Sequence, residues 1–349
     1  MRVSTQPLLS IIIPAYNTAR FIGKCIESCE NQDIPSIDYE IIIINDGSTD
    51  DTLQVVSKLQ KQYLNIRVIN QINQGQSVAR NEGVKIAIGK YIWFVDSDDY
   101  IANNCLGMII DIMEKNKLDA LSIYSSPLYS CEDLLNIDYK ELEDIPSIKS
   151  GVQFLLEKKS VTVTPWGYVF NTDFWRDNKF FFTPNIYYED ALLIPIVISK
   201  CERIATVGSH ISCYSYIDRS ESTMNSLPNV RKINGYISIV NAHLEYSKNI
   251  KNTELKKYFE DSASLYFIRG INMYFYYGKW SNVKVDFLKK VRTRPNKIFA
   301  KSFGGKVYQY IVLQYPVFYC LIRYIFSLLN MIFHFRPQEL LILKSMSNK

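Results

Sequence analysis

The first 125 residues alternate short apolar runs with longer segments of helical periodicity, and this alternation limits the fold more than any other feature of the sequence. The apolar runs lie at 9–13, 39–44, 66–69 and 91–95. Segments with helical spacing lie between and after them, at 18–31, 51–62, 77–88 and 103–115, before a last short strand near 119–124. Strands that are apolar on both faces and alternate with helices predict an α/β fold, with a mainly parallel sheet covered on both sides.

Polar or turn-forming residues follow three of these predicted strands. They are PAYN at 14–17, NDGS at 45–48 and DSDD at 96–99. Ligands of such sheets bind outside the carboxyl ends of the strands, so three polar strand ends predict a binding site at that edge.

The acids at the end of the fourth strand are the strongest candidate for binding a nucleotide. No Gly-rich dinucleotide motif follows the first strand, and the stretch from Gly83 to Lys90 has the wrong spacing for a phosphate loop. Asp96 and Asp98 form a DXD motif, and paired carboxylates suit Mg²⁺ or Mn²⁺ bound together with substrate phosphates. Ordinary turn chemistry is the alternative, since Asp is common after strands.

Four further charged residues, in three places along the chain, admit two interpretations at each place. Asp46 could accept a hydrogen bond from a base or simply begin a turn. Arg80, on the third predicted helix, could reach donor phosphates bidentately or lie on a solvated face. Glu189 and Asp190 open a predicted helix, where a catalytic base is one interpretation and favourable first-turn acids are the other. The helix dipole favours the ionised form of Asp190.

Four blocks of sequence, in their order and spacing, resemble the family 2 glycosyltransferases, which have the GT-A fold. The blocks are SIIIPAYN at 10–17, EIIIINDGSTD at 40–50, NQGQSVARN at 73–81 and GKYIWFVDSDD at 89–99. The resemblance is strong over residues 8–125 and weaker to about 225. It therefore implies a GT-A catalytic domain at 1–225, followed by a mostly helical region at 226–349.

The resemblance also implies roles for individual residues. The implied nucleotide-binding residues are Pro14, Tyr16, Asp46, Asn73, Arg80 and Asp96. Asp98 would bind the metal, Mn²⁺ or Mg²⁺, on the diphosphate of the donor, for which UDP is the expected nucleotide. Asp190 would act as the base in a single inverting displacement, with Glu189 beside it as an acceptor contact or support.

Two other segments resemble acceptor and donor contacts of the family. Trp166 lies in a Pro-Trp element that can line an acceptor pocket, but Gly167 follows where relatives have a polar or basic residue, and a core role for Trp166 is the alternative. Arg219 and Ser222 lie in a segment similar to the loop that can fold over the diphosphate. Exposed loop residues are the alternative interpretation of this pair.

The C-terminal region suggests an anionic partner. Eight Lys or Arg residues and one acid lie within 284–306, and a dense apolar segment follows at 307–335. Pro316 and Arg323 interrupt that segment, and an Arg in mid-span costs about 2.5–3.5 kcal/mol on insertion scales. We therefore expect contact with an anionic membrane surface, with a core or dimer-forming helix pair as the alternative.

The sequence thus predicts an inverting, metal-dependent glycosyltransferase that elongates a glycan or lipid-linked glycan in surface polysaccharide synthesis. The seven Cys without regular spacing, and the lack of a recognisable secretory signal, predict a cytoplasmic protein, peripheral on the inner face of the plasma membrane. A homo-oligomer is compatible with the sequence, and no nucleic-acid reader is recognised. The alternatives are a nucleotidyltransferase that makes nucleotide sugars, which would want a Gly-rich basic phosphate loop, and a non-catalytic glycan-binding subunit, which would be expected to lack Asp98 and Asp190.

Overall fold

The computed structural model describes residues 6–128, 147–157, 161–207, 212–217 and 229–277. Its contacts divide the chain into two units. The first comprises residues up to 185 and 189–226, and the second comprises 186–188 and everything from 227 onward. The domain boundary predicted at 225/226 lies outside the described residues.

The first unit contains the predicted α/β alternation. Its strands are β1 (Leu9–Ala15), β2 (Tyr39–Asp46), β3 (Ile66–Gln71), β4 (Tyr91–Phe94), β5 (Tyr100–Ile101), β6 (Ala120–Ser122), β7 (Tyr124–Leu128), β8 (Tyr168–Asn171), β9 (Ile204–Thr206) and β10 (Ser212–Ile217). Its helices are α1 (Ile22–Glu30), α2 (Thr52–Gln62), α3 (Gln76–Ile86), α4 (Leu106–Asn116), α5 (Gly151–Glu157), α6 (Thr172–Asp177) and α7 (Glu189–Lys200).

Seven of these strands form one sheet in the order β3-β2-β1-β4-β8-β6-β9. The pairs that join β3, β2, β1 and β4 are all parallel, and β8 runs antiparallel to both of its neighbours. The mainly parallel sheet predicted from the sequence is therefore confirmed. A second sheet has the order β5-β10-β7.

The central strands are buried on both faces, as predicted. Every residue of β1, β2 and β4 is buried, and α1 packs Ile22, Cys25, Ile26 and Cys29 into the same core. Helix α3 lies close to β1 because Gly83 has no side chain there: a Cβ atom at Gly83 would lie 2.3 Å from Ile12 Cγ2. This close approach fixes α3 against the strands whose ends form the site.

Two boundaries differ from the prediction. The first strand continues through Pro14 to Ala15, because β4 has ended opposite Ile12 and no ladder bond is needed on that side of Pro14. The segment predicted as an irregular insertion from 125 begins instead with β7, which pairs in parallel with β10. Residues 129–146 of that segment lie outside the described residues.

The second unit, within the described residues, contains α8 (Val230–Lys248) and α9 (Thr253–Tyr277). The two helices pack together, and His243 Nδ1 of α8 lies 3.0 Å from Ser262 Oγ of α9. At the start of this unit the rings of Tyr188 and Tyr236 stack with their centroids 4.8 Å apart. None of the helices in the described ranges is both long and apolar enough to span a membrane.

Candidate active site

The carboxyl ends of β1, β2 and β4 lie side by side, because these strands are neighbours in the sheet. The loops after β1 and β2 are also bonded to each other. The amide of Asn17 donates to Ser48 Oγ over 3.0 Å, and the amide of Thr49 donates to Asn17 Oδ1 over 2.8 Å. Asn17 has a φ of 52°, a left-handed conformation that Asn tolerates better than most residues. The predicted edge site is therefore assembled by side-chain contacts between its loops.

Pro14 and Tyr16 occupy different environments at the end of β1. Pro14 is buried within the strand, and Tyr16 is 48% exposed. An exposed aromatic ring at a strand end is suited to stacking against a nucleobase, which is a largely apolar and planar partner.

Asp46 organises the loop that follows β3. Its Oδ1 accepts from the Gln71 side chain at 2.7 Å and from the Gln74 amide at 2.8 Å, and its Oδ2 accepts from the Gly75 amide at 2.7 Å. This carboxylate therefore already holds three donors, two of them backbone amides. Sequence reasoning predicted Asp46 itself but missed these partners.

The loop held by Asp46 exposes Asn73, the next predicted contact with the nucleotide. Gly47 makes room for it: Gly47 has a φ of 71°, and a Cβ there would lie 2.7 Å from the Asn73 amide nitrogen. The position of Asn73 thus depends on a glycine in the neighbouring loop.

Arg80 bridges two carboxylates in the interior. Its side chain is 3% exposed, with Nη1 2.7 Å from Glu189 Oε1 and Nη2 2.9 Å from Asp96 Oδ1. The interpretation of Arg80 as a residue on a solvated face is therefore wrong, because α3 turns this face toward the core. Burial alone would lower the pKa of the guanidinium, but the charges of Asp96 and Glu189 raise it above its ordinary value, so Arg80 is cationic.

Glu189 and Asp190 begin α7, as predicted, but in different environments. Glu189 is 1% exposed, and its Oε1 accepts from both Arg80 and the Gln76 amide group, each over 2.7 Å. Asp190 is less buried, and its Oδ1 accepts from the Ala191 amide over 2.7 Å. The two acids thus differ in environment: Glu189 is buried in an ion pair with Arg80, whereas Asp190 is the next residue and is partly exposed.

Burial, followed by the charge of Glu189, raises the pKa of Asp190 to about 7. The amide of Ala191 and the charge of Arg80 oppose this shift without cancelling it. Near neutral pH Asp190 is therefore only partly ionised, although the dipole of α7 favours its ionised form. A carboxyl with a pKa near the working pH is suited to accept a proton during a reaction.

The acids after β4, Asp96, Asp98 and Asp99, lie in a turn. The Asp99 amide donates to the Asp96 carbonyl over 3.0 Å, and Asp98 is partly exposed. From the second sheet, the Tyr214 hydroxyl donates to Asp99 Oδ2 over 2.7 Å and accepts from the Asp96 amide over 3.2 Å. Sequence reasoning missed Tyr214, since nothing in its local sequence marks it.

The carboxylate oxygens of this turn suit a hard divalent cation whose remaining ligands come from a substrate and from water. Among the described residues, no group of three or more His, Cys, Asp or Glu side chains could hold a metal ion alone. Mg²⁺ and similar ions commonly use one or two carboxylates plus phosphates and waters. Asp98 would supply such a carboxylate, while the neighbouring charge of Asp96 is offset by Arg80.

Trp166 lies in an aromatic stack. Its ring is parallel to that of Tyr214, with centroids 4.4 Å apart and planes at 3°, and it also stacks with Tyr216 at 6.1 Å. The Trp93 indole donates to the Trp166 carbonyl over 2.8 Å. Trp166 is partly buried against the core, as its interpretation as a core residue predicts, and its contact with an acceptor stays a prediction.

Two predicted contacts, Arg219 and Ser222, lie outside the described residues, as do the basic stretch 284–306 and the apolar segment 307–335. Among the described candidates, the structure joins Asp96, Arg80 and Glu189 in one network that ends beside Asp190. Tyr16 and Asn73 lie on the loops after β1 and β3, and Asp46 is the last residue of β2.

Comparison with known proteins shows what the chain is similar to. The model of the family "Glycosyl transferase family 2" matches residues 10–184. The poly(ribitol-phosphate) beta-glucosyltransferase of Bacillus spizizenii is 28% identical over 285 residues, which cover 74% of this chain and 43% of that protein. This chain therefore spans less than half the length of that relative.

Solved structures show the same fold. Staphylococcus aureus TarS 1-349, solved in complex with UDP-GlcNAc, superposes with a TM-score of 0.59 at 21% identity, over 87% of this chain and 90% of that one. The mannosyltransferase PcManGT of Pyrobaculum calidifontis, solved with GDP-Man and Mn²⁺, gives a TM-score of 0.50 at 13% identity, over 92% and 88% of the two chains. The predicted GT-A architecture is therefore confirmed.

Proposed function

The chain belongs to glycosyl transferase family 2. We propose that it moves a sugar from a nucleotide-diphosphate donor to a hydroxyl of a glycan or lipid-linked glycan in surface polysaccharide synthesis. The expected donor is a UDP-sugar. Similar proteins support the donor class, since one structure was solved with UDP-GlcNAc and another with GDP-Man. The observation on which the proposal depends is the Arg80 bridge, which joins the DXD turn to the first turn of α7.

In this proposal the loops after β1, β2 and β3 bind the nucleoside. Tyr16 stacks on the base, and Asp46 holds the loop that carries Asn73. The diphosphate would then lie over the DXD turn, where Asp98 would hold Mn²⁺ or Mg²⁺. When bound, the cation offsets the negative charge that grows on the leaving diphosphate.

Asp190 supplies the proton acceptor. Its carboxylate takes the proton of the acceptor hydroxyl while that oxygen forms a bond to the anomeric carbon of the sugar and the bond from that carbon to the diphosphate breaks. One displacement of this kind inverts the anomeric configuration. The raised pKa of Asp190, about 7, makes the carboxylate a stronger base than an ordinary Asp.

The residues around Asp190 support this role. Arg80 and Gln76 fix Glu189, so the next residue along the helix starts from a defined position. Elsewhere in the same unit, Trp166, the proposed acceptor contact, is held in place because its ring stacks on Tyr214.

A panel of donors tests the proposal. The protein is incubated with UDP-, GDP- and dTDP-sugars, each with Mn²⁺, with Mg²⁺ and with a chelator, and released nucleotide and the melting temperature are measured. We expect UDP-sugars with metal to raise the melting temperature and to release UDP. Failure of every nucleotide sugar to shift the melting temperature would contradict the proposal.

We also propose that the region 284–335 contacts an anionic membrane surface, which would place the enzyme on the inner face of the plasma membrane. The proposal is supported by the clustered Lys and Arg residues and the apolar segment after them. Co-sedimentation with anionic and neutral liposomes tests it: we expect binding to the anionic vesicles that weakens in high salt. Salt-independent failure to bind would leave the alternative, a core or dimer-forming helix pair.

A further inference from the structure

One hydroxyl group bonds both ends of the DXD turn. The Tyr214 oxygen donates its proton to the carboxylate of Asp99 over 2.7 Å and accepts the amide hydrogen of Asp96 over 3.2 Å. Asp98 lies between these two residues. The path of the backbone on either side of Asp98 is therefore tied to a residue more than 110 positions away in the sequence.

Tyr214 is itself held rigidly. It is fully buried, its ring is stacked face to face on Trp166 at 4.4 Å, and Trp93 lies 6.3 Å away on a tilted plane. Its backbone pairs with Ile101 of β5, the short strand that begins directly after the turn. A hydroxyl on so fixed a ring can restrict the turn, which a mobile side chain could not do.

The acceptor side of the contact is also enclosed. Asp99 is 6% exposed, so its carboxylate depends on hydrogen bonds within the protein. Asp96, at the other end of the turn, is held by Arg80 through its side chain and by Tyr214 through its amide. The two ends of the turn are thus fixed by different elements, and Tyr214 contacts both.

We infer that Tyr214 is a positioning residue for the divalent cation: its hydroxyl holds the turn from Asp96 to Asp99 so that Asp98 is already placed to bind the ion together with the donor diphosphate. The inference rests on the proposed function and assigns a role to a residue outside the sequence motifs. Groups that orient a metal ligand without touching the metal change metal affinity by about 10- to 100-fold when they are removed. Tyr214→Phe should therefore weaken metal binding while leaving the ring and its stack intact.

The test measures metal binding, not turnover. Mn²⁺ is titrated into the full chain in the presence of saturating UDP, and free Mn²⁺ is followed by its paramagnetic resonance signal. We expect the apparent Kd for Mn²⁺ to rise about tenfold or more in Tyr214→Phe. The affinity for UDP in the absence of metal should stay within twofold of the wild type, because the nucleoside contacts are on other loops.

Tyr168→Phe is the matched control. Tyr168 is also a buried tyrosine, but its hydroxyl donates to the Thr162 carbonyl over 2.7 Å. This variant should bind Mn²⁺ like the wild type. An equal loss of Mn²⁺ affinity in both variants would overturn the inference, because it would reflect general loosening of the fold.

The outcomes separate this inference from the proposed function. If the wild type binds neither UDP nor Mn²⁺ with UDP, the proposed function fails. If the wild type binds both and Tyr214→Phe has wild-type Mn²⁺ affinity, the function stands and the role of Tyr214 is wrong. Should Tyr214→Phe fail to fold, Asp99→Ala removes the acceptor of the same hydrogen bond, and wild-type Mn²⁺ affinity in that variant would equally overturn the inference.

Discussion

The guanidinium of Arg80 and the carboxylate of Glu189 lie 2.7 Å apart although the residues are separated by 109 positions in the sequence. Both side chains are almost fully buried, at 3% and 1% exposure. The contact joins α3, beside the nucleotide loops, to the first turn of α7, where the proposed base lies. Because Arg80 also holds Asp96, one side chain connects the proposed donor half of the site to the proposed acceptor half.

Removing the proposed base should abolish most of the activity. Asp190→Asn keeps the shape of the side chain but cannot accept the proton, so we expect turnover to fall by about 10²- to 10⁴-fold with donor binding retained. Steady-state kinetics and UDP titration measure the two effects. Asp173→Asn is the control, since Asp173 is an exposed acid in the first turn of α6 and should not affect turnover. Wild-type turnover in Asp190→Asn would mean that the base is another residue.

The activity should depend on the ionisation of Asp190. The pKa of this carboxyl is raised to about 7, so the proton-accepting form is scarce below that pH and dominant above it. We expect kcat/KM to rise with pH through about 7 and then to level off, measured at saturating metal and low donor. A rise centred near 4, the ordinary pKa of Asp, would show that Asp190 is not desolvated in the working enzyme.

Breaking the Arg80 bridge should cost stability as well as activity. Arg80→Met leaves the buried charge of Glu189 without its cationic partner, and such losses cost about 3–5 kcal/mol. Urea denaturation measures the change in the free energy of unfolding. Arg67→Met is the matched control, because Arg67 is 42% exposed and its partner Glu40 retains bonds from Ser10 Oγ and the Ile88 amide. Equal losses in both variants would contradict the special position of Arg80.

Alanine substitutions at two glycines of the nucleotide loops can distinguish the effect of backbone strain from the effect of steric crowding. Gly47 and Gly75 both have positive φ, but a Cβ at Gly47 would lie 2.7 Å from the Asn73 amide nitrogen, whereas nothing lies within 4 Å at Gly75. Both Ala variants should lose about 1 kcal/mol or more through strain. Only Gly47→Ala should also displace Asn73 and weaken UDP binding, as measured by calorimetry. Equal UDP affinity in the two variants would contradict a role for the position of Asn73.

The sequence predicted the parts of the site that depend on local pattern. Strands apolar on both faces, each ending in polar residues, were sufficient to place Tyr16, Asp46 and Asp98 at the carboxyl edge of the sheet. The similarity of sequence blocks to a known family then led to Asp190, which local sequence alone did not distinguish from an ordinary first-turn acid.

Contacts between distant segments were not predictable in the same way. From the sequence alone, Arg80 could equally lie on the solvated face of an amphipathic helix. Its partner Glu189, in the first turn of α7, follows more than a hundred residues later. Tyr214 lies on a strand of the second sheet, and its two bonds to the DXD turn exist only because β10 pairs with β5. The raised pKa of Asp190 likewise depends on burial, which no short stretch of sequence encodes.

The most direct test of the account is whether a divalent cation on Asp98 holds the nucleoside diphosphate. UDP is titrated calorimetrically into the wild type and Asp98→Asn, each with Mn²⁺ and with a chelator. We expect Mn²⁺ to strengthen UDP binding to the wild type by tenfold or more, about 1.4 kcal/mol, and to have little effect on Asp98→Asn. UDP binding that is indifferent to Mn²⁺ in the wild type, or equally strengthened by it in Asp98→Asn, would contradict the account.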